Sequence, residues 1–283
     1  MEYTLSEPLN ALDALAKLSP NSSKTTLREW LKHGRVFVDD QIVKIASTPL
    51  EAGQTISLGV RKARKEKVPI LYEDAHLVVI EKPAGLLSVA TNFDKAKTAH
   101  AFLKERYRPR KVYVVHRLDQ DTSGVMLFAL TEEAFFGLKA LFADHDIDRE
   151  YTAVVHGKMT QQEGTWQSYL YEDKAYVVHS TQDPDKGELA ITHFKTVEAR
   201  THFSLLNLKL ETGKKNQIRV HCEDHGFPIV GDKKYGGEGE SHITKRLCLH
   251  AHHLGFVHPI YKKEMSFDSP IPEKFYQCLK THA

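Results

Sequence analysis

The sequence predicts an α+β protein, a large mixed or antiparallel sheet flanked by helices, preceded by a small N-terminal domain. Three observations support this. Strand-like segments arrive in runs, with helical segments between only some of them. Regular strand–helix alternation and a glycine-rich phosphate loop, the marks of a doubly wound parallel sheet, are both missing. A basic run, Arg61-Lys62-Ala63-Arg64-Lys65-Glu66-Lys67, then marks a linker at 61–69 between domains at 1–60 and 70–283.

In the first domain, Leu9, Leu12, Leu15, Ala16 and Leu18 make a short amphipathic helix that stops near Pro20. Ser22 or Ser23 caps a second helix, which Gly34 ends in a left-handed conformation. Its packed face carries Leu27, Trp30 and Leu31. Arg28, Lys32 and Arg35, extended by Lys24, form a basic stripe on the other side. Val36-Phe37-Val38 and Gln41-Ile42-Val43-Lys44 read as a hairpin turning at Asp39-Asp40, and Gln54–Leu58 as a strand.

In the second domain, strands are expected at His76–Glu81, Val112–Val115, Val125–Leu130, Ile147–His156, His202–Leu210 and Leu254–Val257. Helices are expected at Thr98–Tyr107, Thr131–Asp144 and Lys215–Asp224. Thr131 suits a cap, Glu132 and Glu133 suit the positive helix end, and Gly226 follows the last helix.

Composition bounds the function. No apolar run approaches the ~20 residues that span a bilayer, and the N-terminus lacks a basic-then-apolar leader, so a cytoplasmic protein is expected. Three separated cysteines without a CxxC pair fit a reducing compartment. A net charge of +2 does not announce a nucleic-acid binder, although the basic run would attract phosphate. A solvated linker explains that run equally well.

The most informative string is Val115-His116-Arg117-Leu118-Asp119-Gln120-Asp121-Thr122-Ser123-Gly124. It reads as a polar turn between apolar strands that sets a carboxylate beside a cation and two hydroxyls. An aspartate next to arginine stays ionised, as a nucleophile or proton-transfer group must. A structural turn stabilised by Asp and Ser is the ordinary alternative. Cys248, His250, His252, His253 and His258 invite a metal reading. Their alternation suits a strand instead, and no zinc-type spacing accompanies it, so neither a metal nor a metal-dependent hydrolase is expected.

"HRLDQDTSG" resembles the signature of the RluA-type pseudouridine synthases. Four further strings agree in order: "ILYEDAHLVVIEKPAGLLSV", "DREYTAVVHG", "ETGKKNQIRVHCEDHGFPIVGDKKYGG" and "RLCLHAHHLGFVHP". In the first domain, "SSKTTLREWLKHGRVFVDDQIV" resembles the small α-L RNA-binding domain first known from ribosomal protein S-four, a frequent companion of this catalytic domain. The resemblance implies isomerisation of uridine to pseudouridine in structured RNA, with no metal or other cofactor. It implies Asp119 as the catalytic carboxylate and Arg219 as its partner, with Tyr151 and Ile218 packing the uracil. Arg117 would fill the space left by the flipped base. Lys24, Arg28, Lys32 and Arg35 become RNA contacts. Lys214-Lys215 and Gln120 depart from commoner family residues, which bears on RNA contacts more than on chemistry. Large-subunit ribosomal RNA is the expected substrate, transfer RNA the alternative, and a monomer the expected state. A non-catalytic RNA-binding or ribosome-assembly protein is the rival from another class, and the trio Asp119, Tyr151 and Arg219 argues against it. A tRNA synthetase sharing the small domain is set aside because no ATP-binding signature appears.

Overall fold

The computed structural model describes residues 2–39, 41–59, 68–90, 98–236, 244 and 246–280. The chain divides into two compact units, Met1–Lys67 and Val68–Ala283. The basic run 61–67 lies outside the described residues. Val68 is buried in the second unit's core, and the Pro69 carbonyl accepts the Glu81 amide at 2.9 Å, so these two linker residues belong to the second unit.

In the first unit, helices α1 (Ala11–Leu18) and α2 (Lys24–Lys32) accompany a four-stranded sheet. Its strands are β1 (Glu2–Thr4), β3 (Val36–Val38), β4 (Gln41–Val43) and β6 (Thr55–Leu58), in the order β1-β6-β3-β4. Strands β2 (Leu9–Asn10) and β5 (Pro49–Leu50) pair separately. The Ser23 hydroxyl caps α2 by accepting the Thr26 amide at 3.2 Å, and Gly34 turns the chain out at φ 64°. Leu15, Leu27, Leu31, Val36 and Ile56 form the core. Asp40, in the expected hairpin turn, lies outside the described residues, and Asp39 before it has φ 46°. Lys24, Arg28 and Lys32 are exposed along one line of α2. Arg35 departs from this stripe. It follows Gly34, beyond the helix, and its guanidinium lies 5.2 Å from the centre of the Trp30 ring.

The second unit is built on an eleven-stranded mixed sheet. Its strands are β7 (Ile70–Glu73), β8 (Leu77–Lys82), β9 (Tyr113–Val114), β10 (Ser123–Ala129), β11 (Asp148–His156), β12 (Glu163–Glu172), β13 (Val178–Thr181), β14 (Glu188–Ala199), β15 (Phe203–Leu210), β16 (Leu249–Val257) and β17 (Glu264–Asp268). The main path runs β13-β12-β14-β15-β11-β16-β10-β8-β7, with β17 beside β16 and β9 beside β10. Only β10 and β16 pair in parallel among the described strands, Ser123 opposite His250 and Gly124 opposite Ala251. Helices α3 (Ala99–Arg106), α4 (Glu132–Ala143), α5 (Gln217–Asp224) and α6 (Glu273–Lys280) complete the unit. Strands β8 and β10 are covered on both faces, which is why their sequences are continuously apolar rather than alternating. Val78, Ile80, Met126 and Phe128 join a core with Leu103 and Phe275 from α3 and α6. Leu77, Val79, Leu127 and Ala129 join another with Ala134 and Leu138 from α4.

The strands β12, β13, β14 and β17 and helix α6 were not expected from the sequence, and the strand expected at Leu254–Val257 begins five residues earlier, at Leu249.

Candidate active site

Asp119 sits in the loop that enters β10. A strap formed by residues 82–88 holds this loop through hydrogen bonds. Ser88 Oγ donates to the Leu118 carbonyl (2.6 Å) and accepts the Leu118 amide (3.1 Å). The Gln120 carbonyl accepts the Gly85 amide (2.9 Å) and Lys82 Nζ (2.9 Å). Lys82 is fully buried, and its ammonium also donates to the carbonyls of Leu86 (2.7 Å) and Pro83 (3.1 Å). All three of its protons are therefore placed. Burial pulls this ammonium down to about 8, against the attraction of Asp119 and Asp121. Gly124 closes the loop at φ 120°, where a Cβ would lie 2.0 Å from the Ala251 carbonyl oxygen. Only glycine permits that approach of β10 to β16. Ser123 is tied to β16 by its hydroxyl, which pairs with His250 Nδ1 (2.8 Å), and to the segment before that strand by Arg246, which donates to its Oγ (2.6 Å).

Helix α5 supplies the opposite wall. Its approach turn is pinned by the buried Gln217 side chain. Gln217 Nε2 donates to the Ile191 carbonyl and Thr192 Oγ1, both at 2.9 Å, while its Oε1 accepts the Lys214 amide at 3.0 Å. His221, one turn on, bridges Ser168 (3.0 Å) and Thr192 (2.9 Å) and stays neutral, burial pulling it down to about 4. Lys214 and Lys215 answer Glu188 (2.9 Å) and Glu172, which fastens the turn to β14 and β12.

Arg117, Asp119, Tyr151, Ile218 and Arg219, all singled out in the sequence, line one cavity between these walls together with Leu210, Lys214 and Leu249. Arg219 Nη1 lies 3.7 Å from Asp119 Oδ2, an ion pair too long for a hydrogen bond. Its tighter partner is Asp232: Nε and Nη2 each donate at 2.7 Å in a bidentate fork, and the Asp232 side chain is fully buried. Asp232 also accepts the amides of Lys234 (2.9 Å) and Tyr235 (3.0 Å), and the Tyr235 ring lies 5.0 Å from the guanidinium.

Asn216, just before α5, touches Asp119 directly. Its carboxamide turns Nδ2 to Asp119, 2.7 Å from Oδ2 and 3.3 Å from Oδ1, and its oxygen accepts the Tyr235 hydroxyl at 3.1 Å. The reverse orientation would set an amide oxygen against a carboxylate oxygen, acceptor against acceptor. Asn216 holds φ at 54°, a left-handed conformation that asparagine tolerates better than most residues. Neither Asn216 nor Asp232 was singled out from sequence. Both lie within the quoted string 211–237, and the signal was a polar residue immediately before Gln-Ile-Arg and an Asp after Gly231.

Burial pushes the Asp119 carboxyl above the usual aspartate range. Arg219, then Arg117 and Lys82, pull it down, and Asp232 adds to the push. The Asn216 donor acts with the cations, because it favours the ionised form. Tyr151, on β11 and 9% exposed, keeps its proton: burial raises its phenol. The histidines of β16 are distributed among separate partners. His250 pairs with Ser123, His252 with Thr152 (3.0 Å) and His253 with Asp268 (2.7 Å). Among the described residues no group of three or more His, Cys, Asp or Glu could hold a metal ion.

Comparison with known proteins identifies the family. The family model described as RNA pseudouridylate synthase matches residues 76–224, and the S4 domain model matches residues 12–56. An uncharacterised RNA pseudouridine synthase of Bacillus subtilis is 31% identical over 96% of this chain and 93% of its own length. The ribosomal large subunit pseudouridine synthase D of Zymomonas mobilis is 33% identical over 94% of this chain and 92% of its own. A solved human protein, RNA pseudouridylate synthase domain containing 1, shares the fold with a TM-score of 0.61 at 24% identity, over 72% of this chain and 84% of that one. An Asp–Arg cavity walled by a buried tyrosine, in a chain matched by both models, makes this protein a member of the RluA-type RNA pseudouridine synthase family carrying an N-terminal S4 domain.

Proposed function

We propose that this pseudouridine synthase acts on specific uridines of large-subunit ribosomal RNA in the cytoplasm, as a monomer, with Asp119 as its catalytic residue. The observation that carries the assignment is the convergence of Asp119, Tyr151, Ile218 and Arg219 on one cavity from three separate parts of the chain. The relatives named for the large ribosomal subunit, matched over 94% of this chain and over 92% and 86% of their own lengths, support the choice of RNA.

The reaction breaks the bond from ribose carbon 1′ to uracil nitrogen 1, turns the base, and joins carbon 1′ to carbon 5. The carbon 5 proton is lost to solvent and nitrogen 1 gains one, so the change is isomeric. In this site Asp119 meets the ribose in its ionised form, either attacking carbon 1′ or supporting a glycal route. Arg219 supplies the compensating charge and is itself held by Asp232. Tyr151 packs one face of the uracil and Ile218 the other, in a cavity that a base reaches only after leaving its stack. Arg117, exposed at the cavity mouth, takes the vacated place. The exposed stripe Lys24, Arg28 and Lys32 contacts RNA phosphates.

The test is tritium release from RNA labelled at uridine carbon 5, with ribosomal and transfer RNA offered separately and Asp119→Ala beside the wild type. Release from large-subunit RNA, abolished by the substitution, is the expected result. Release from transfer RNA alone would reassign the substrate. Binding without release from either pool would favour a binding-only protein, and equal release by both proteins would remove Asp119 from its role.

A further inference from the structure

A groove of about 820 Å³ adjoins the Asp119 cavity and shares Arg117, Tyr151, Leu210 and Lys214 with it. Its wall is cationic, with Lys139 and Arg149 added to the shared Arg117 and Lys214. The lining carboxylate, Glu188, is already paired with Lys214. His116 contributes no charge: its Nε2 accepts the Leu127 amide (3.0 Å), and burial, with Arg149 and Lys139, pulls it down to about 3. Among the described residues no carboxylate stands at ion-pair distance from Arg149.

Arg149 is unusually placed for a surface cation. Its guanidinium lies 5.5 Å from the centre of the Phe142 ring. On another side it meets Gly213, where an added Cβ would come within 2.6 Å of Nη1. Its Nε is buried without a hydrogen-bond partner. A buried donor left unpaired is costly, and such a group in a native structure calls for a partner or a functional reason. Two residues of strand, ~6.6 Å at the usual rise, separate Arg149 from Tyr151 along β11. That is the scale separating a flipped base from the phosphate of its neighbour.

We propose that Arg149, slotted between Phe142 and Gly213, clamps a backbone phosphate of the nucleotide adjoining the target uridine. The groove then carries the RNA strand away from the cavity, past Arg117 and Lys139. This rests on the RNA-modifying reading above. Arginine suits the task because its planar fork grips two phosphate oxygens, whereas lysine offers a point charge.

The experiment uses the full chain with Arg149→Met and Arg149→Lys. Filter binding to a large-subunit ribosomal RNA transcript over a range of salt would be measured beside tritium release. Arg149→Met is expected to lose about tenfold in affinity, with the slope of log K against log salt smaller by about one. KM should rise in parallel, and kcat at saturating RNA should stay within about twofold of wild type, since the lost contact serves binding in ground and transition states alike. Arg149→Lys should restore the slope and only part of the affinity. Unchanged affinity and slope in Arg149→Met would overturn the clamp, as would a fall in kcat at unchanged KM, which marks mere support of Tyr151. If Arg149→Met does not fold, wild-type affinity in Arg149→Lys overturns the proposal in its place. A wild type that releases no tritium, beside an Arg149→Met variant with reduced slope, would sink the proposed substrate while leaving the clamp standing.

Discussion

Removing the Asn216 carboxamide should shift the acid limb of the reaction to higher pH while leaving the plateau above it nearly intact. The variant of choice is Asn216→Gly rather than Asn216→Ala. Asn216 sits at φ 54°, where alanine adds strain of ~1 kcal/mol or more and glycine adds none. The side chain makes no capping bond to α5, so the helix loses nothing directly. What disappears is the donor at 2.7 Å from Asp119 Oδ2. A hydrogen bond to a charged group contributes ~1.5–3 kcal/mol. At 1.36 kcal/mol per unit, its loss raises the Asp119 pKa by ~1–2 units. Burial already holds that carboxyl above the usual aspartate range, so the shift adds to an existing one. The acid limb of kcat/KM reports the free enzyme's essential carboxylate. It should therefore move up by ~1–2 units, with a ~10–100-fold loss below the limb and a near wild-type plateau above it. Tritium release measured from acid to neutral pH decides the matter. An acid limb that stays in place would show that Asn216 does not stabilise the ionised carboxylate.

Three other expectations follow from the same cluster and from the first unit. Arg219→Met strands the fully buried Asp232 carboxylate, so denaturant unfolding should show a loss of ~3–5 kcal/mol, part of which Asp232→Asn recovers in the double variant. Asp119→Asn should abolish activity and raise the melting temperature at neutral pH. Because the folded-state pKa is raised, the fold favours the protonated acid below the unfolded value, and that advantage fades as pH rises through the folded value. The gain from asparagine should accordingly shrink on acidification, and a lower melting temperature for the variant at neutral pH would contradict this. Deleting the S4-domain unit should weaken RNA binding and flatten its salt dependence, while circular dichroism shows a folded remainder, and a remainder that fails to fold would refute it.

Periodicity revealed helices α1 to α5 and the fully buried strands, because their apolar residues are contiguous or fall on one face, but not α6. Strands β12 and β14 escaped for an identifiable reason. Their inward positions include Ser168, Thr192 and Thr196, buried polar residues that a hydropathy reading assigns to solvent. Thr192 is usable in the core because Gln217 and His221 satisfy its hydroxyl from α5, a partnership created only by the tertiary fold. The basic stripe was over-extended at Arg35 because helical spacing was continued past the glycine that ends the helix. In the site, motif residues were legible one by one, whereas Asn216 and Asp232 act through side chains distant in the chain or turned by an unusual φ. Their only signal in the sequence is adjacency to Gln-Ile-Arg and to Gly231, which names no partner for either.

The division of labour between the two carboxylates explains why one arginine needs both. A bidentate fork from Arg219 onto Asp119 would favour its ionised form but cover the oxygens that, in the proposed reaction, meet the ribose. The structure instead spends the fork on Asp232 and leaves Asp119 at 3.7 Å, close enough to feel the charge and too far to be capped by it. Asn216 and Arg219 both address Oδ2, so Oδ1, with its longer 3.3 Å contact to the amide, is the freer oxygen. Burial raises the energy of the ionised form, and the charges of Arg219, Arg117 and Lys82 limit that rise. In the proposed reaction, the charged form of such an aspartate is under-solvated, and it gains most when positive charge develops on the ribose carbon beside it.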